Sequence, residues 1–267
     1  WGEATAVRFL ANALQAGIAL KSNDKGFTNN GNEYPAGSLI VDVADNAENL
    51  FSTVTEIAEK TGARVVAVND SWVTDGPNFG SGNVVRHNEI KIAMAWDEPT
   101  ASYSAGNTRF VIERQFDYPV TPIRVDRLRT ANLNRYQVLI LPVMNGAGYK
   151  SALGQIGIQN IKTWVSQGGV LISLGNATRF LADPDVDMLA VRRERGVVEL
   201  KEIPDTDRDE ATVQGQYLSE LEAYENQVVA LEDNPYSVSG VLVRADVHPE
   251  HWLSAGVAQE LNVLVRG

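Results

Sequence analysis

Between residues 89 and 175, apolar runs that suit strands alternate with amphipathic stretches, and the connections between them are short. The strand-like runs are "EIKIAMAWD", "VTPIRV", "YQVLILPV" and "GVLISLG", and the helical stretches are "SAGNTRFVIERQF" and "IQNIKTWVSQG". Strands buried on both faces of a parallel sheet read as near-continuous apolar runs, and parallel neighbours need crossovers long enough to hold a helix. The pattern therefore predicts an α/β protein with a parallel sheet covered by helices on both faces. That prediction also places any binding site, because ligands of such a sheet gather beyond the carboxyl ends of the strands, where strand order reverses.

The first 75 residues follow a different rhythm. "EATAVRFLANALQA" puts Ala6, Val7, Leu10, Ala13 and Leu14 on one helical face before Gly17, and "NAENLFSTVTEIAEKT" repeats that spacing through Leu50, Val54 and Ile57 before Gly62. "GIALKSN", "GSLIVDVAD" and "ARVVAVND" read as strands, with Asn-Gly and Pro-Ala-Gly turn signals between the first two. Residues 1–75 are thus expected as a small α+β unit and 76–88 as a linker rich in Gly, Asn and Pro. The α/β domain then spans 89–267. After residue 183 the chain turns polar and charged, and strand-like runs return only in "VSGVLVRADVHPEHWLSAG" and "ELNVLVRG". A chain that opens on Trp1 and stops straight after a strand reads as a segment of something longer.

Composition narrows the functional classes. The net charge is −11 and the cations form no stripe, which disfavours nucleic acid and anionic membranes as partners. No apolar run reaches the length of a membrane span. The chain has no cysteine, so thiol nucleophiles, disulfides and thiolate-bound zinc are excluded within it.

Three loops should surround the cleft at the strand ends: "DEPTASYSAGN", "MNGAGYK" and the strand-turn-helix elbow "GNAT". They carry the candidate ligand-binding residues Asp97, Ser102, Tyr103, Asn107, Asn145, Gly146, Tyr149, Asn176 and Ala177, with Glu98, Arg109 and Arg179 beside them. Glycine loops that open helices can bind anions, but neither GxGxxG nor GxxxxGK[ST] occurs, and turn geometry alone accounts for these glycines. An elbow of the GxSxG kind places its central residue where it meets substrate. Here that residue is Ala177, which cannot attack anything, so no catalytic residue is assigned. A hydrolase or transferase using Ser102, Tyr103 or Tyr149 with a carboxylate is the alternative. His248 and His251 flank Glu250, yet Pro249 argues against a helix, and a loop pair beside Trp252 is the plainer reading than a zinc site. Asp97, Glu98, Asp183, Asp185 and Asp187 read as solvated loop charges.

The runs "IKIAMAWDEPTASYSAGNTRFVIE", "YPVTPIRVDRL", "YQVLILPVMNGAGY", "IKTWVSQGGVLISLGNA" and "VHPEHWLSAG", in that order, resemble the class I glutamine amidotransferase-like domain of bacterial zinc carboxypeptidase-related proteins. "ALQAGIAL" and "EYPAGSLIVDV" are similar to the segment that joins the peptidase domain to it. The resemblance implies a flavodoxin-like or amidotransferase-like sheet and a periplasmic or secreted metallocarboxypeptidase as the whole protein. It also implies a zinc cofactor in that peptidase domain, none in this segment, and the peptidase domain itself as the partner. In working amidotransferases the glycine loop supplies an oxyanion hole and the elbow a cysteine. Gly146 and Gly148 match that loop loosely, Ala177 stands in the cysteine's place, and Arg179 replaces the second elbow glycine. No histidine is assignable as base. The implied role is a non-catalytic accessory domain, structural or binding a peptide or small polar ligand.

Overall fold

The computed structural model describes residues 4–191, 240–248 and 260–265. In the N-terminal unit, α1 (Ala4–Gln15) is followed by the short strands β1 (Leu20–Asn23), β2 (Phe27–Asn29), β3 (Asn32–Tyr34) and β4 (Leu39–Ile40). Helix α2 (Leu50–Thr61) ends on Gly62, whose φ of 75° supplies the left-handed cap, and β5 (Val73–Asp75) and β6 (Val84–His87) follow. Two antiparallel sheets result, ordered β4-β1-β6 and β3-β2-β5. Phe9, Ala13, Ile18, Leu20 and Ile57 form a core between α1, α2 and the β4-β1-β6 sheet.

Two expectations change here. Residues 84–87, expected inside a linker, pair with β1 through Leu20↔His87 to Asn23↔Val84 and close a sheet of the N-terminal unit. The loop expected at 75–83 begins at 76, because Asp75 ends β5, and its glycines and asparagines hide the four-residue strand behind it. "ARVVAVND" forms no strand at all: Val65, Val66 and Val68 are 49%, 44% and 40% exposed. β-Propensity reports fit to a half-buried pleated surface, and among the described residues no strand lies alongside this run to supply one.

The parallel sheet consists of β7 (Ile92–Trp96), β8 (Val120–Arg124), β9 (Val138–Leu141) and β10 (Val170–Ser173), in the spatial order β10-β9-β7-β8. Helix α3 (Ser102–Phe110), continued by a π-helical turn at Val111–Gln115, connects β7 to β8. The short α4 (Val125–Leu128) follows β8, and α5 (Gly148–Ser166), kinked at Gly154, connects β9 to β10. Helix α6 (Ala177–Leu181) follows the elbow. The fold is mixed α/β, with a four-stranded parallel sheet flanked by helices and small antiparallel sheets beside it.

Strand periodicity divides the apolar residues between two faces. Ala93, Ala95, Leu139 and Leu141 face α4, α5 and α6, where Leu128, Leu153, Ile161, Trp164 and Phe180 complete the larger core. Each such leucine or isoleucine, once fully buried, stabilises the fold by ~1.5–3 kcal/mol. On the other face Met94, Val120 and Ile140 pack with Ala105 of α3. Cover on that face is uneven among the described residues, for Val170 and Ile172 of β10 are 51% and 41% exposed. Trp164 donates its ring N–H to Tyr136 O at 3.1 Å and lies so close to Gly169 that a Cβ there would sit 2.2 Å from the ring.

The N-terminal unit meets this domain at Asp117: Lys60 Nζ is 2.6 Å from its carboxylate, and Gln15 donates to its backbone oxygen at 2.7 Å. The final strands, β11 (Val241–Asp246) and β12 (Glu260–Val265), pair antiparallel with each other, as their apolar runs lead one to expect.

Candidate functional site

The strand order reverses between β7 and β9, so the loops at residues 97–101 and 142–147 lie at the position where such a sheet offers its crevice. They are laced together. Ala101 donates its N–H to Val143 O at 2.8 Å, Asn145 donates to Pro99 O at 2.7 Å, and Thr100 and Met144 form an antiparallel bridge. The Val143 N–H donates to Ser104 Oγ at 3.1 Å, which carries the lacing into α3.

Tyr149 lies beneath these loops and is fully buried. Its hydroxyl donates to Pro142 O at 2.9 Å, which leaves the Thr100 hydroxyl, 3.0 Å away, to donate to the phenol oxygen. Burial pushes the Tyr149 pKa up to about 12, with the Thr100 hydrogen bond opposing. A phenol so placed stays protonated near neutral pH and serves neither as base nor as nucleophile there.

The elbow after β10 is tied to the same loops. Asn176 accepts from Met144 N–H with Oδ1 and donates to Met144 O with Nδ2, both at 2.9 Å, so one amide side chain imitates a strand neighbour. Gly175 takes φ +54°, and a Cβ there would come 3.0 Å from a Val143 methyl, so the turn and the close loop both call for glycine. Ala177 is fully buried, and its N–H donates to Leu174 O at 3.1 Å. The Thr178 N–H likewise donates to Gly175 O at 3.1 Å. An oxyanion hole needs backbone donors aimed at a vacant position; these two point into their own turn. The hydroxyls nearest the apex, Ser173 and Thr178, lie 3.1 Å from each other.

Of the expected residues, Asp97, Ser102, Asn145, Gly146 and Asn176 lie exposed on or beside these loops, whereas Tyr149 and Ala177 are in the core. Tyr103 and Asn107, four residues apart on α3, are exposed on a helix that buries Ser104 and Ala105 instead. Asp97, at φ +69°, accepts from the Glu98 N–H at 3.0 Å and faces Arg124 at 3.7 Å. Arg109 is held by Glu113 at 2.8 Å and lies 5.6 Å over the Trp96 ring. Two concavities lie away from these loops. One of about 280 Å³ is lined by Tyr136, Trp164 and Gly169 among others, and a wider one of about 590 Å³ by Arg129, Ile156 and Asn160.

Sequence reasoning did not anticipate two clusters. Lys150 brings Asp183 (2.8 Å) and Asp185 (2.6 Å) together, so these two loop carboxylates share one cation 33 and 35 positions away. His87 Nε2 lies 2.7 Å from Ser22 Oγ across β1 and β6, the separation of a base and a nucleophile. Ser22 is only 1% exposed, which closes it to substrate. Burial lowers the His87 pKa.

Among the described residues no group of three or more His, Asp or Glu side chains could hold a metal ion. His248 is described, but His251, the other half of the proposed pair, lies outside the described residues. No helix among the described residues is long and apolar enough to cross a membrane. No family model matches the chain, and no match was found among curated proteins or solved structures.

Proposed function

We propose that this chain is a non-catalytic accessory unit, structural in role, that belongs with a zinc-dependent carboxypeptidase domain in a periplasmic or secreted protein. The observation that carries the non-catalytic part is the closure at the strand ends: an alanine stands at the elbow apex, fully buried, and its N–H is spent on Leu174 O. The flavodoxin-like or amidotransferase-like reading of the sheet draws support from the order β8-β7-β9-β10, in which the first strand lies inside the second. The peptidase partner, its zinc and the compartment rest on the resemblance of the strand and loop sequences.

An elbow without a nucleophile still has work to do in this reading. It reverses the chain from β10 into α6 and, through Asn176, fixes the glycine loop after β9. The test is hydrolysis of simple esters, peptide amides and glutamine by the purified chain. The expected result is no turnover above buffer, and none in the Ala177→Cys variant. Saturable turnover that disappears in Ser102→Ala would overturn the proposal in favour of a hydrolase.

A further inference from the structure

Residues 63–70 follow α2 without forming helix or sheet, and none takes a positive φ. Among the described residues, 64–69 take part in no backbone hydrogen bond. Yet their composition is that of a strand, and valines on both alternating faces are open to solvent: Val66 and Val68 on one, Val65 on the other. A stretch of unpaired donors and acceptors with apolar side chains is a template for another strand.

The order of side chains says which strand fits. In an antiparallel pairing of this segment with itself, centred on Ala67, Val66 stands opposite Val68, Val65 opposite Asn69, and Arg64 opposite Asp70. One face of the pair then gathers four valines between two Arg–Asp pairs. The backbone register agrees. If the Ala67 residues exchange N–H and C=O, the next exchange is Val65 with Asn69, and Val66–Val68 and Arg64–Asp70 fall at the non-hydrogen-bonded positions, where side chains approach closest. Asp70 is not asked for its backbone oxygen, which already accepts from Asn29 Nδ2 at 3.3 Å.

We propose that residues 64–70 are a self-association strand whose occupant is a second copy of this chain, joined across a twofold axis at Ala67. A twofold contact requires a self-complementary patch, which this segment is. The contact is weak, since a two-stranded ribbon is marginal by itself and the net charge of −11 on each copy opposes association.

The proposal is tested by sedimentation of the 267-residue chain at moderate salt, at concentrations up to about 1 mM, where weak association registers. The average mass is expected to rise with concentration from 29.1 kDa towards twice that value. Ala67→Pro, which removes the central N–H from an exposed position, should abolish the rise, and Arg64→Asp should reduce it. Combining Arg64→Asp with Asp70→Arg should restore it, which a merely damaged fold would not do; circular dichroism melting of each variant checks the fold independently. A wild type that stays at 29.1 kDa overturns the proposal, including the case in which the segment becomes protected only beside a different chain. A rise that survives both Ala67→Pro and Arg64→Asp also overturns it, by placing the contact elsewhere.

Discussion

At the carboxyl ends of the parallel strands, polar groups of three loops find their partners in one another; along residues 64–69 the backbone finds none among the described residues. The first region has the outline of an active site, yet its apex is sealed. The second has the composition of a buried strand and is open. Each is explained by what stands beside it rather than by its own residues: Asn176 supplies Met144 with a substitute strand partner, whereas no strand within the described chain comes alongside Val65–Val68. Closure costs the loops the freedom a catalytic site would use, and openness leaves the valines available to a partner.

The contrast breaks most severely at Tyr149. Tyr149→Ala removes a fully buried ring packed 5.9 Å from Phe180, together with its two hydrogen bonds, and should destabilise the protein by about 3–5 kcal/mol in denaturant melts. A loss under about 1 kcal/mol would mean that the loops are not seated on this ring. Gly169→Ala should cost about 1–3 kcal/mol, because the new methyl must displace the Trp164 ring. Asn176→Ala, at an exposed position, should cost only about 1 kcal/mol, and hydrogen exchange should show the Met144 amide losing protection while Ala101 keeps its own.

The smallest expected effect is a pH dependence from His87. Its folded pKa lies below the ordinary 6.5, so the neutral ring is the form the fold prefers. The stabilisation is therefore complete above pH 6.5 and is lost as pH falls through the lowered folded value. Thermal melts of wild type and His87→Gln should converge as pH drops below 6.5; curves that stay parallel would contradict the assignment.

Much of the architecture was legible in the sequence. β7 and β9 are continuous apolar runs because both faces of a parallel strand are covered, and α1 and α2 announce themselves by helical spacing and terminal glycines. What escaped depends on neighbours distant in the chain. "ARVVAVND" has strand composition without a strand to pair with among the described residues, and β6 is a short run whose described partner is β1. At the candidate site the three expected loops each follow a strand of the parallel sheet and run on into α3, α5 and α6, and burial within them was not readable. Tyr149 is only the second residue of α5, yet that turn of helix points inward, and nothing in "MNGAGYK" reveals that Pro142 O and Thr100 lie within reach of its hydroxyl. The Asn176 amide pairing with Met144 crosses 32 residues and has no sequence signature.

The absence of cysteine allows the comparison to be measured directly, because each engineered thiol is then the sole one in the chain. Ala177→Cys and Ala67→Cys differ by a single sulfur from the native side chains, and their rates of reaction with an aromatic disulfide reagent report access to the two backbones. The thiol at position 67 should react like that of an unstructured peptide. The thiol at position 177 should react only as denaturant opens the fold; equal, rapid labelling of both in native buffer would contradict the sealed elbow on which the non-catalytic reading stands.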